Sequence, residues 1–293
     1  MATPSRALRA RSRARTAGAR RRGRRERRLG VIDVARESLA ELRSRVSRAR
    51  TAASLGRLAD ALAADRRLGA RELAERARRR REELACERRR QAQLFALRRR
   101  LQRRGARHVA GVDEVGVGPL AGPVVACAVV LPGRVDLPGI DDSKRLTART
   151  RLRLAAEIRE QALAVSVAAV SSREVDRLNV YRASLVAMGR AVRGLRVAPD
   201  HVLVDARTLP DLDLPQTAIV GGDGLDGSIA AASIVAKVHR DEWMTRLAER
   251  YPGYGFERHK GYGTREHLAA LERLGPTRDH RRSFGPVNQL ALW

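Results

Sequence analysis

The chain has 293 residues, enough to bury a large core as one big domain or two small ones, and its 60 Lys and Arg against 33 Asp and Glu leave a formal charge of +27. Residues 1–107 hold 35 Arg, no Lys and 11 acidic residues, a net of +24, so 108–293 carry only +3. Such a concentration points to a polyanionic partner, nucleic acid first. No apolar run approaches the roughly 18 residues of a membrane span, and the Arg-rich start lacks the apolar stretch of a secretory signal. A cytoplasmic monomer with no membrane contact is expected, with Cys86 and Cys127 as free thiols.

Residues 1–28 offer almost nothing to bury and read as a disordered Arg-rich tail. Residues 29–104 read as a helical basic extension. Ile32, Ala35, Leu39, Leu42 and Val46 recur three and four apart on one helical face, and a second helical region runs from Ala52 to Arg104. Its charged middle, Arg76 to Arg90, either projects into solvent or lies on something anionic. At Gly105 the composition shifts, and 105–293 read as one catalytic domain.

Within that domain His108–Val115 and Ala121–Leu131 are Val-rich runs separated by a Gly/Pro turn, the pattern of buried strands. A helix capped by Thr147 is expected over 147–161, and a strand over 163–170. A single helix is expected from Glu174 to Arg193 behind Ser171 or Ser172 as cap. Val202–Asp205 and Thr217–Val220 read as short strands, Ser228–Arg250 as a long Ala-rich helix and Thr264–Leu274 as another. The order predicts an α/β domain with a mixed sheet.

Two acids, Asp113 and Glu114, end the first apolar strand, Asp205 ends another, and Asp223 follows a third. Burying such carboxylates bare costs several kcal/mol, which a divalent cation offsets. Oxygen-only donors suit Mg²⁺ or Mn²⁺. Carboxylate-held hard cations suit in-line displacement at phosphorus, so phosphodiester hydrolysis is the leading chemistry. Gly116 and Gly118 permit a tight loop whose amides approach a sugar or phosphate closely.

The run Gly111–Pro123, Asp142-Ser143-Lys144-Arg145-Leu146, Leu203-Val204-Asp205, Gly222-Asp223, Ser228–Val238, His259–Thr264 and His280-Arg281-Arg282-Ser283-Phe284 together resemble bacterial ribonuclease HII, the type 2 ribonuclease H family, over about residues 108–287. The resemblance implies a ribonuclease H-like mixed sheet flanked by helices, and cleavage of RNA in RNA–DNA hybrids and at ribonucleotides embedded in duplex DNA. It assigns Asp113, Glu114, Asp205 and Asp223 as catalytic, metal-binding carboxylates. Tyr262 matches the tyrosine that sits against the sugar, and Lys144 and Lys237 match lysines near substrate phosphates, while Asp241 reads as a helix residue. The family's Gly-Arg-Gly is here Gly116-Val117-Gly118, which keeps the backbone of the ribose-reading loop and removes a charged side chain. The alternatives are a ribonuclease HIII-like enzyme and a catalytically weakened hybrid- or RNA-binding protein.

Overall fold

A computed structural model describes residues 34–290, which pack as two units, 34–88 and 89–290. The expected tail and Ile32 lie outside the described residues. In the first unit a 3-10 turn at Val34–Arg36 precedes α1 (Leu39–Arg48) and α2 (Ala52–Ala63), and α3 (Leu68–Leu94) starts here and crosses the division. Ser38 and Glu41 form a reciprocal capping box that starts α1 afresh. The periodicity from Ile32 therefore does not make one helical face: Leu42 and Val46 are buried, whereas Ala35 and Leu39 are exposed. Leu55, Leu58, Leu62, Leu73 and Ala77 complete a small apolar core. Arg76, Arg78, Arg79 and Arg81 stay exposed, but Arg67 donates to the Glu37 and Val34 carbonyls at 2.8 and 2.7 Å and Arg80 to Val46 at 2.9 Å. Part of the arginine content is thus structural.

The second unit comprises α4 (Ala96–Arg103), β1 (Val109–Val115), β2 (Val124–Val130), α5 (Ala148–Gln161), β3 (Ala164–Val170), α6 (Ser172–Leu178), α7 (Val180–Arg193), β4 (His201–Asp205), β5 (Gln216–Ile219), α8 (Gly222–Leu225), α9 (Gly227–Arg250), α10 (Phe256–His259), α11 (Arg265–Leu274) and α12 (Gly285–Leu290). The sheet runs β3-β2-β1-β4-β5, with β1–β2 and β2–β3 antiparallel and β1–β4 and β4–β5 parallel. One face packs on α9 and α5, the other on α7. Phe95 lies in the α9-side core, so residues 89–104 pack with the sheet. Thr147 caps α5 as expected, and Thr264 caps α11 in the same way, each hydroxyl accepting the third N–H. The single helix expected over 174–193 is two. Asn179 adopts φ 65°, and its side chain accepts the Arg182 N–H, so one helix ends and α7 begins at that residue.

α9 lies almost in contact with β1, since a Cβ at Gly111 would stand 2.1 Å from the Ser228 carbonyl carbon. Any side chain there would lift the helix off the strand.

Behind the Tyr262 turn, His267 and His280 are buried. His267 Nδ1 donates to the Tyr262 carbonyl at 2.9 Å, which leaves His267 Nε2 to accept from His280 Nε2 at 3.1 Å, and His280 Nδ1 accepts the Thr277 N–H at 2.9 Å. This chain is complete only with both rings neutral. Burial first, then the neighbouring His267 and His259 charges, pushes His280 from its ordinary 6.5 down to about 3. The unfolded chain therefore takes that proton first as pH falls, and stability is full above pH 6.5 and lost toward pH 3. His280→Gln should be less stable at pH 8 and lose on the order of a few kcal/mol less than the parent across that window. Denaturant unfolding over a pH series checks this, and parallel curves for the two proteins would contradict it.

Candidate active site

The predicted acids lie at the ends of parallel β1 and β4 and in the short helix α8 that follows β5. Asp113 and Glu114 occupy successive positions of β1, so they point to opposite faces of the sheet. Asp113 shares the α9 face with Gly111, and its Oδ1 accepts the Glu114 N–H at 2.7 Å. Burial, the Glu114 charge and, further, the Asp205 charge push Asp113 well above the usual carboxylate range. Glu114 is raised by burial and by Asp205, and held back by Arg207, whose Nη2 stands 3.9 Å from Glu114 Oε1. Its second oxygen, Oε2, is buried without a hydrogen-bond partner.

Asp205 ends β4 and accepts the Gly222 N–H on Oδ1 at 2.7 Å. Burial raises it, the Gly222 amide opposes that, and the Asp223 charge adds to it. Asp223 is in the first turn of α8 and 7% exposed, with Lys144 Nζ 3.2 Å from its Oδ2. Lys144 loses some solvation, but Asp223 more than offsets that and holds it above its ordinary value. Next to Lys144, the Ser143 hydroxyl accepts from Ser233 of α9 at 3.0 Å, tying the Lys144 loop to the helix behind Asp113.

The glycine loop and the tyrosine are also adjacent, since a Cβ at Gly118 would stand 3.7 Å from the Tyr262 ring. Tyr262 itself is 45% exposed. Gly116 adopts φ 88°, and a Cβ there would stand 2.2 Å from Arg240 Nε, so only glycine fits. Lys237 is placed differently from the other site residues. Its ammonium is 2.5 Å from Asp241 one turn along α9, with Arg151 4.0 Å from the same carboxylate. Asp241 is, as expected, a helix residue.

As placed, no three His, Cys, Asp or Glu side chains among the described residues converge into a group that could hold a metal ion. The fit to a hard divalent cation lies in the donors. They are oxygen-only, mutually repelling and desolvated, and one buried carboxylate oxygen lacks a partner. Arg207, missed in the sequence reading, is the second cation facing these acids after Lys144, and its guanidinium lies 5.1 Å from the Tyr181 ring.

Residues 110–287 match the family model described as Ribonuclease HII. The chain belongs to the ribonuclease HII family. It is 49% identical over 253 residues to the ribonuclease HII of Myxococcus xanthus, covering 86% of both chains. To that of an Anaeromyxobacter strain it is 52% identical over 257 residues, 88% of this chain and 81% of the relative. Among solved structures the ribonuclease H2 of Pyrococcus horikoshii matches with a TM-score of 0.51 and 25% identity, covering 62% of this chain and 96% of that one. The activity is that of a ribonuclease H endonuclease, and neither the ribonuclease HIII reading nor the non-catalytic one is favoured. Among the described residues no helix is long and apolar enough to cross a membrane.

Because the buried Asp113 carboxylate is raised, ionising it costs folding energy as pH climbs above its ordinary 3.8. Asp113→Asn removes that cost and keeps an acceptor for the Glu114 amide. It should raise the melting temperature in chelator while lowering turnover at least a thousandfold. Calorimetry paired with a cleavage assay checks both halves, and retention of parental turnover would remove Asp113 from the site.

Proposed function

We propose that the chain hydrolyses the RNA strand of RNA–DNA hybrids and cuts at single ribonucleotides in duplex DNA, leaving a 3′-hydroxyl and a 5′-phosphate. The observation that carries this reading is the placement of four coupled carboxylates at the ends of β1 and β4 and on α8, in the same unit as a glycine loop lying against an exposed tyrosine. Asp113, Glu114, Asp205 and Asp223 would hold Mg²⁺ or Mn²⁺. When bound, such cations supply the Lewis acidity that makes water nucleophilic at neutral pH and stabilises the leaving oxygen.

The protein's own groups do the rest. Lys144, whose side chain is 78% exposed beside Asp223, offers its ammonium to a substrate phosphate. Tyr262 presents a flat apolar surface against a sugar, and Gly116, Val117 and Gly118 present backbone to the ribose 2′-hydroxyl with no long side chain between. Lys237 is committed to Asp241 and would reach a phosphate only by leaving that pair. A duplex with one ribonucleotide, incubated with Mg²⁺ or Mn²⁺, should give products that a ligase rejoins after the 3′-hydroxyl and 5′-phosphate are mapped. A 2′,3′-cyclic phosphate would mean that the ribose hydroxyl attacked instead, and the reading would fail.

For the N-terminal part we propose duplex binding without a share in the chemistry, with residues 89–290 forming the catalytic unit. Support comes from the concentration of charge before residue 108 and from the packing of Phe95 within the sheet unit. Removing residues 1–88 should then leave an active nuclease with weaker duplex affinity and a flatter salt dependence, since each neutralised phosphate contributes about −0.9 to the slope of log K against log salt. The maximal rate should change less than the affinity, because remote phosphate contacts bind ground and transition states alike. Equal slopes for the full and shortened chains would refute the binding role.

A further inference from the structure

Two arginines stand behind the glycine loop. Arg281, between α11 and α12, is completely buried. Its Nε donates to the Gly122 carbonyl at 3.1 Å and its Nη1 to Val117 at 2.9 Å, while Nη2 donates to Gly116 at 2.5 Å and Gly122 at 2.9 Å. Arg240, on α9 and equally buried, sends Nε to Pro123 at 3.1 Å, Nη2 to Ala121 at 3.2 Å and Nη1 to Lys260 at 3.0 Å, two residues before Tyr262. The two guanidiniums thus bind five carbonyls of the stretch 116–123. Neither forms an ion pair with a carboxylate among the described residues.

Burial pulls Arg240 down to about 10, and burial with the Arg240 charge pulls Arg281 down to about 9, so both are cations at neutral pH. Two buried like charges are an expensive way to close a loop, and apolar packing would do it at lower cost. What the arginines give that apolar side chains cannot is direction. A peptide unit is planar and trans, so its carbonyl and the next residue's N–H point opposite ways. Pinning the Gly116 and Val117 carbonyls inward on Arg281 turns the Val117 and Gly118 N–H groups outward. Those two amides donate to nothing among the described residues, and Gly118 lies against the Tyr262 ring.

We propose that Arg281, supported by Arg240, is a positioning residue for sugar recognition: it holds the Val117 and Gly118 amides toward the substrate as a fixed pair of donors and so sets the preference for ribose over deoxyribose. This rests on the proposed reading that the glycine loop meets the ribose. The buried cations also place positive charge behind a loop whose own middle residue is Val117, next to where a phosphodiester backbone must pass.

The test uses the full-length chain and Arg281→Lys, which keeps the charge and loses the planar fork that spans three carbonyls. Two quantities are measured: kcat/KM on a duplex with one ribonucleotide, and the inhibition constant of the identical all-DNA duplex as competitor. The expected result is a fall in kcat/KM of tenfold or more, with the all-DNA inhibition constant within twofold of the parent; loss of general structure would move both. A folded variant with unchanged kcat/KM, or with both constants shifted alike, overturns the inference. Should the variant not fold, amide resonances of the ¹⁵N-labelled parent decide. Val117 and Gly118 must shift with the ribonucleotide duplex and stay in place with the all-DNA duplex, and equal shifts refute the proposal. A parent that does not cut the ribonucleotide duplex at all fails the functional reading itself, an outcome distinct from a parent that cuts and a variant that cuts equally well.

Discussion

The fold has to carry two adjacent carboxylates into its interior at the end of a central strand, and much of the second unit is arranged around that demand. β1 lies between β2 and β4, so neither neighbour can be moved to let water reach Asp113. Opposite Asp113 and Glu114 stand Cys127 and Ala126, small residues that leave room around the acids. The two carboxylates emerge on opposite faces, Asp113 on the α9 side with Gly111 and Glu114 toward Arg207 after β4. An adjacent acid pair therefore reaches around a strand end from both sides, which two acids spaced by two residues could not do.

The second requirement is a rigid frame, and α9 provides it. Its N-terminus is capped by Asp226, which accepts the Ser228 and Ile229 amides at 2.7 and 3.3 Å, and the following turn presses onto β1 at Gly111. From there the same helix delivers Ser233 to the Ser143 loop, the Lys237–Asp241 pair, and Arg240 to the glycine loop. One rigid rod thus sets the distance between the acids and the loop.

β1, β2 and β4 were legible as Val-rich apolar runs, and the start of α5 because the Thr147 hydroxyl precedes an amphipathic run. The break at Asn179 was not legible, since the apolar spacing continues through it and only the left-handed backbone at that residue shows that capping prevailed over periodicity. The acids stood out as charges inside apolar strands. Arg240 and Arg281 did not, because in a chain this rich in arginine a guanidinium carries no signal, and its partners are carbonyls brought close only by tertiary folding. The roles proposed for Tyr262 and Lys144 came from family resemblance, since an exposed tyrosine and lysine have no pattern of their own.

Charge is therefore segregated within the second unit. Desolvated carboxylates crowd the ends of β1 and β4, while the guanidiniums of Arg240 and Arg281 sit directly behind the loop that continues β1. A polyanion would be repelled by the first group and attracted by the second, so the acids alone would make poor binders of a nucleic acid. Divalent cations held there would reverse the sign at the carboxylates, and on the proposed reading the loop would add donors oriented by the arginines. On the proposed reading, recognition of the sugar and chemistry at the phosphate would use opposite charges, held at a set distance by β1 and α9. Val117 puts no charge in the middle of the loop, so the buried pair is the positive charge closest behind it.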